Sequence, residues 1–199
     1  MLVKRVVAGI YGANCYLLMD EDTKEMGIID PGGDSDDIIK AIESLNGKPK
    51  FILLTHGHVD HVGGVMDLKE KYNIPFYLNE EDEKLIKAKT YIYGEIPSSD
   101  FNLKENDVIK LGNYEINVIE TPGHTPGGVC FLVDNLLFTG DTLFKGSIGR
   151  TDFGGGDYEA IIDSINNKIL PLGGHVKVLP GHGPETDLSY EKATNHFLR

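Results

Sequence analysis

The sequence predicts a layered α/β fold with helices packed on a sheet, and three observations carry that prediction. Strand-like and helix-like runs alternate through the first half of the 199 residues. Short apolar runs bounded by glycine- and proline-rich turns dominate the second half. In both halves, histidine or aspartate follows an apolar run closely, where loops leave a sheet edge.

The elements follow in order. Residues 2–8 and 14–19 read as strands separated by a turn around Gly9 to Gly12, and a third strand over 26–29 stops at Asp30-Pro31-Gly32-Gly33. Ile38, Ile39, Ala41, Ile42 and Leu45 recur at helical spacing, predicting a helix over 36–45 with Gly47 as terminator. The strand Phe51-Ile52-Leu53-Leu54 follows, then a helix over 60–72, a short strand over 74–78 and a charged helix over 80–89. Residues 90–99 read as an irregular surface loop, with Tyr91 and Tyr93 either exposed there or lining the mouth of a site. Strands are predicted over 108–111, 114–120, 129–133 and 136–139, with turn-rich interruptions at 121–128 and 140–156. A helix over 158–169, a strand over 176–179 and a short helix from Leu188 complete the chain. No linker, repeat or low-complexity tract divides it, so residues 1–199 are expected to form one domain.

Composition narrows the function. The chain is 40% hydrophobic and 25% charged, as in ordinary globular proteins, and long enough to bury a sizeable core. A formal net charge of -12 argues against a nucleic-acid partner, which needs a basic surface. No run approaches a membrane-spanning helix, and the first twenty residues lack the pattern of a signal peptide, so no membrane partner is expected. Cys15 and Cys130 sit in strand-like surroundings without a CxxC pair and read as buried free thiols, pointing to a cytoplasmic location.

The chemistry concentrates in Thr55-His56-Gly57-His58-Val59-Asp60-His61. Neutral imidazole nitrogen and carboxylate oxygen are the ligands that zinc and iron accept. His56 and His58 are two apart, which would splay them on a helix, so the pair belongs at a strand end or in a loop. Gly57 between them permits backbone angles that a larger residue would resist. Similar contexts recur later: His124 inside TPGHTPG, Asp141 after Leu137-Phe138-Thr139-Gly140, and His182 after Val178-Leu179-Pro180-Gly181. His175 and His196 lack that context and read as solvated. His56, His58, Asp60, His61, His124, Asp141 and His182 exceed the needs of one tetrahedral zinc. They suit two ions sharing a carboxylate and a solvent oxygen, which is hydrolytic machinery.

With these motifs in view, the chain resembles the metallo-β-lactamase superfamily over nearly its whole length. Asn14-Cys15-Tyr16-Leu17, Asp30-Pro31-Gly32 and the run from Leu143 through Gly149-Arg150-Thr151-Asp152 are similar to the glyoxalase II branch, and more narrowly to its short single-domain bacterial members. The resemblance implies a four-layer αβ/βα sandwich of two mixed sheets with a site at one sheet edge. It implies that His56, His58 and His124 hold one metal, that Asp60, His61 and His182 hold a second, and that Asp141 bridges them. Two divalent ions are implied, Zn2+ foremost, with Fe or Mn also accepted in the family.

The implied activity is hydrolysis of a small-molecule thioester of the S-lactoylglutathione type by a metal-bridging hydroxide, which Asp60 helps to orient. Asp30 matches the carboxylate that orients ligands from behind, and also reads locally as a turn aspartate before proline. Arg150 stands where relatives carry a basic residue near the substrate, and also reads as a surface salt-bridge partner. Only seventeen residues follow His182, so the helical glutathione-binding domain of the longer enzymes is not expected. Two other readings stand beside this one. A persulfide (sulfur) dioxygenase would use a single non-haem iron on His56, His124 and Asp141. A non-catalytic metal-binding module would share the fold.

Overall fold

The computed structural model describes residues 1–198. In chain order the first half contains β1 (Leu2–Ala8), β2 (Ala13–Met19), β3 (Glu25–Ile29), α1 (Ser35–Ser44), β4 (Lys48–Leu53), α2 (Val59–Val62), α3 (Val65–Tyr72), β5 (Phe76–Asn79), α4 (Glu80–Lys87) and β6 (Phe101–Leu103). The second half contains β7 (Val108–Leu111), β8 (Tyr114–Glu120), β9 (Val129–Val133), β10 (Leu136–Gly140), β11 (Leu143–Phe144), β12 (Ser147–Ile148), α5 (Tyr158–Ser164), β13 (Lys177–Pro180), β14 (Thr186–Asp187) and α6 (Leu188–Thr194).

Among the described residues the strands form two six-stranded sheets, ordered β1-β2-β3-β4-β5-β6 and β14-β13-β10-β9-β8-β7, with β11 and β12 as a separate hairpin. Both sheets are mixed. β1, β2 and β3 pair antiparallel, whereas β3, β4, β5 and β6 run parallel. In the second sheet β10 and β13 are the parallel pair.

Strand periodicity sorts side chains into layers. Every residue of β2 is buried, so both faces of that strand are covered. Its Cys15, Leu17 and Met19 pack with Ile38 and Ile42 of α1 and with Val65 and Leu68 of α3. Tyr16 and Leu18, on the opposite face, join Phe131, Val118 and Phe138 of the second sheet in the central layer. Beyond that sheet, Cys130, Leu137 and Val178 pack on Ile161 of α5 and on Ile165 and Ile169 after it. The result is helix, sheet, sheet, helix: the αβ/βα sandwich expected above. Both cysteines are free and buried, as expected, and burial pushes the Cys130 thiol up to about 12. No helix among the described residues is long and apolar enough to cross a membrane.

Four details differ from the sequence reading. The helix expected over 60–72 is two helices, broken at Gly63-Gly64. The Gly64 amide donates to Pro31 O at 2.7 Å, and a Cβ on Gly63 would stand 2.6 Å from Gly32 O, so the Asp30-Pro31-Gly32-Gly33 turn wedges against the break. The helix expected over 158–169 ends as α at Ser164 and widens into a π-helical turn over Ile165–Ile169. The short strands β11 and β12 lie within the stretch read as turn-rich, and β6 and β14 lie where no element was assigned; at two or three residues, they carry too little alternation to register. Residues 90–99 are not wholly a surface loop: Tyr91 is exposed, but Tyr93 is buried and bridges His58 in antiparallel fashion.

Phe131, fully buried between the sheets, gives a test of this layering. Phe131→Ala is expected to destabilise the fold by about 3–5 kcal/mol, measured by urea denaturation.

Candidate metal centre

Chain reversals at one edge of the two sheets bring the seven predicted side chains together. β4 ends at Leu53, and the next four residues lead to His58 at the start of α2, which also carries Asp60 and His61. His124 lies in the loop between β8 and β9, Asp141 directly follows β10, and His182 lies two residues beyond β13. The His182 loop passes close to Asp141 because residue 181 is glycine: a Cβ there would meet Asp141 Oδ1 at 2.3 Å and His61 Cε1 at 2.7 Å. Gly57 acts in the same way. Its φ is not in the left-handed range, so the freedom inferred from sequence is not what it supplies. Its lack of a side chain admits Ile86 and Tyr93, each 3.1 Å from where a Cβ would be.

Two three-residue groups result. In one, ligand-type atoms of His56, His58 and His124 lie within 4.8 Å of one another; in the other, so do those of Asp60, His61 and His182. His124 Nε2 is 2.9 Å from His58 Nδ1, and His61 Nε2 is 3.2 Å from His182 Nε2. Asp141 stands between the groups, with His124 Nε2 at 3.6 Å, His61 Nε2 at 3.4 Å and His182 Nε2 at 3.7 Å from its oxygens. Asp60 Oδ2 is 3.2 Å from His182 Nε2.

Hydrogen bonds behind the rings decide which nitrogens face inward. Asp30 accepts from the Thr55 amide at 2.8 Å and the Thr55 hydroxyl at 2.6 Å, and from His61 Nδ1 at 3.0 Å. With its own proton committed to Asp30, the Thr55 oxygen accepts from His56 Nδ1 at 3.0 Å. His124 Nδ1 donates to Arg150 O at 2.7 Å. Nδ1 of His56, His61 and His124 is therefore engaged from behind, and Nε2 of all three points into the cluster. Asp30 also lies near His56 and His61 as a third possible ligand group, but its oxygens are spent on Thr55 and His61, which makes it a support.

The donor set fits a divalent cation. His56 Nε2 is buried with no hydrogen-bond partner among the described residues, and several unprotonated imidazole nitrogens converge on the same space. A cation satisfies such lone pairs where another protein donor would not. Electrostatics divides the groups. Burial holds His56 well below the usual imidazole range and lowers His58 to about 3; His124 is lowered by the same cause. Burial also penalises the His61 cation, but Asp141 and Asp30 outweigh it and hold His61 well above the usual range. A hydrogen bond to Asp60 raises His182.

The cluster opens into a cavity of about 310 Å³ walled by Tyr11, Val59, Tyr91, Ile92, Arg150 and Phe153. A larger cleft of about 450 Å³ between Val3, Arg5, Tyr16 and Glu185 contains none of the seven. Arg150 reaches the candidate site, yet its Nε and Nη2 are held bidentately by Asp152 at 2.7 Å each, and it stacks on Phe153 at 3.7 Å. Arg150 thus lines the cavity and is at the same time paired with an exposed aspartate. His175 and His196 are exposed and remote from the cluster, as expected. Thr55, Tyr11, Phe153 and Asp82 went unread. Thr55 and Asp82 are ordinary residues whose significance is a partner far away in sequence, and only the position of Thr55 at the head of the histidine run offered a signal.

A model of the metallo-beta-lactamase superfamily matches residues 8–182. The chain belongs to the metallo-β-lactamase superfamily. Among curated relatives, a protein of Haemophilus influenzae named hydroxyacylglutathione hydrolase GloC is 39% identical, with 100% of this chain and 98% of that protein covered. The crystal structure of the BLEG-1 B3 metallo-beta-lactamase superposes with a TM-score of 0.89 at 36% identity, covering 99% of both chains. That of TTHA1623 in a di-iron-bound form superposes at 0.87 with 34% identity, covering 98% of this chain and 100% of that one. Superfamily membership and the His/Asp groups together make this a metal-binding protein of metallo-hydrolase type.

Metal binding displaces protons from ligands, which gives a pH test. His61 and His182 are raised by their carboxylates, so acid competes with a metal at the Asp60–His61–His182 group first. His56 and His58 are depressed, so the other group resists acid longer. For protein loaded with metal at both groups, dialysis at steps from pH 8 to pH 5 is expected to release metal from the Asp60–His61–His182 group first, with affinity falling by about tenfold per pH unit for each proton displaced. Metal content measured beside His182→Ala checks the order.

Proposed function

We propose that this chain is a metal-dependent thioester hydrolase of the hydroxyacylglutathione hydrolase type, acting on a small-molecule thioester such as S-lactoylglutathione. The observation that carries the reading is Asp141, placed between two complete ligand groups and within 3.7 Å of nitrogens from both. In this reading His56, His58 and His124 hold one divalent ion, Asp60, His61 and His182 hold a second, and Asp141 reaches both. Zn2+ suits the imidazole and carboxylate donors, and Fe or Mn is compatible with them. When bound, such ions acidify a water and polarise the scissile carbonyl. The name of the 39% identical relative and the di-iron title of the 34% identical structure support the same reading.

The chain's own residues supply orientation and shape. Asp30 and Thr55 keep the His56 and His61 rings turned so that Nε2 faces inward. Asp60, whose side chain is only 20% exposed, accepts a hydrogen bond from the attacking water and aims it at the carbonyl carbon. Tyr11, Val59, Ile92 and Phe153 seat the organic portion of the substrate. The guanidinium edge of Arg150 not taken by Asp152 is available to a substrate carboxylate.

The leaving group favours a thioester over an amide. A thiol with pKa of about 8.5 departs as thiolate without much protonation, whereas an amide nitrogen needs a proton. Among the described residues walling the cavity, no carboxylic acid stands outside the candidate ligands. The two cysteines, buried and unpaired, accord with a cytoplasmic setting.

Protein purified without added metal and assayed in parallel for S-lactoylglutathione hydrolysis and persulfide-dependent oxygen uptake tests the reading. Thioester cleavage with two ions per chain is expected; oxygen uptake with one iron per chain and no cleavage would overturn it in favour of a dioxygenase. Asp141→Ala is expected to abolish hydrolysis and to lower occupancy of both ions. Full occupancy with retained activity would remove Asp141 from its bridging role.

A further inference from the structure

Asp82 belongs to none of the groups described above, yet it lies directly beneath one of them. It sits in the first turn of α4, a helix whose opening sequence, Glu80-Glu81-Asp82-Glu83, looks like a solvated acidic face. Its neighbours Glu80 and Glu81 are exposed, but Asp82 is fully buried. Its Oδ2 accepts the Gly57 amide and its Oδ1 accepts the Gly127 amide, each at 2.7 Å. Among the described residues no lysine, arginine or histidine forms a salt bridge with it.

The positions of those two amides give the carboxylate its importance. Gly57 separates His56 from His58, and Gly127 lies three residues after His124. One side chain therefore holds both loops that carry the three-histidine group. The Gly127 loop approaches this closely because residue 127 is glycine, whereas Gly57 meets Asp82 at ordinary contact distance. A Cβ on Gly127 would stand 2.6 Å from the Asp82 amide nitrogen and 2.7 Å from Oδ1, and one on Gly57 would stand 3.4 Å from Asp82 Cβ. The Gly57 carbonyl is also occupied, accepting the Gly94 amide at 3.0 Å, so residue 57 is held through both its N–H and its C=O. A buried carboxylate without a cation is costly unless its hydrogen bonds are well made, and charge-assisted bonds to backbone amides are among the stronger ones. Burial pushes the Asp82 carboxyl up to about 6, while the Gly57 and Gly127 amides act in the opposite sense and favour its charged form.

We propose that Asp82 is a positioning residue for the His56–His58–His124 group, clamping its two loops in register so that the three imidazoles meet at one ion. The proposal rests on reading those histidines as ligands. Outer contacts of this kind typically change metal affinity by about tenfold to a hundredfold.

Asp82→Asn keeps the size of the side chain but turns an NH2 toward one of the two amides, breaking half of the clamp. Apo protein folded by the criterion of circular dichroism is titrated with Zn2+ alone, and with Co2+ for its visible spectrum. Asp82→Asn is expected to weaken one ion by about tenfold or more and to leave the other unchanged. The weakened ion is the one lost in His124→Ala, and the double variant loses no more than His124→Ala alone. Equal weakening of both ions, or of neither, would overturn the proposal. A general loss of fold moves both sites together and cannot produce the selective result.

Amide hydrogen exchange in the unmodified protein gives a reading independent of any variant. Gly57 and Gly127 are expected to exchange far more slowly than other amides of their loops, and fast exchange at either would overturn the clamp. If Zn2+ binding proves indifferent to His124→Ala, the ligand reading fails, and exchange still decides whether the clamp exists.

Discussion

The rest of this centre depends on one carboxylate, Asp30, and on the hydrogen bonds it accepts. Several imidazoles buried together would ordinarily repel or waste their polar atoms. Here the Thr55 hydroxyl gives its proton to Asp30, so its oxygen is left to accept from His56, while the same carboxylate accepts from His61. One anion thereby sets the tautomer of two rings in different elements. Asp30 itself sits at a left-handed backbone position, φ 49, at the end of β3, where a tight turn and a central strand meet. Its amide bonds to Leu53 O of the adjacent β4, so the carboxylate is registered to the strand from which the histidine loop departs.

The division of charge across the centre follows from the same arrangement. Asp141, Asp30 and Asp60 pull the imidazoles of His61 and His182 toward the protonated form, whereas burial, with the neighbouring imidazoles, holds His56 and His58 neutral. The fold therefore creates two neighbouring sites with different appetites for protons from residue types that are chemically alike. Asp141 lies where the two meet, and the cavity of about 310 Å³ opens directly onto it.

Much of this was legible in the sequence, for physical reasons that can be stated residue by residue. β2, β3, β8, β9 and β10 carry enough alternating or continuous apolar residues to declare themselves, and α1 shows a clear 3.6-residue period. The two-residue strands β11, β12 and β14 carry no such signal. The break at Gly63-Gly64 was hidden because its cause, the Pro31 carbonyl, lies more than thirty residues away. At the site, the HxHxDH spacing and the repeated placement of histidine or aspartate shortly after an apolar strand marked the seven residues that the fold brings together. Asp82 was invisible: in an acidic helix its carboxylate looks like its exposed neighbours.

By itself, then, the sequence determined which atoms could bind a metal and that they would stand where strands end, because residue type and strand period are local properties. Only the tertiary structure decided how they group, which nitrogen of each ring faces inward, and what holds the loops from behind. Those outcomes depend on strand order across two sheets. They depend also on backbone approaches that glycine permits and on hydrogen bonds between residues distant in the chain, and none of these leaves a periodic trace.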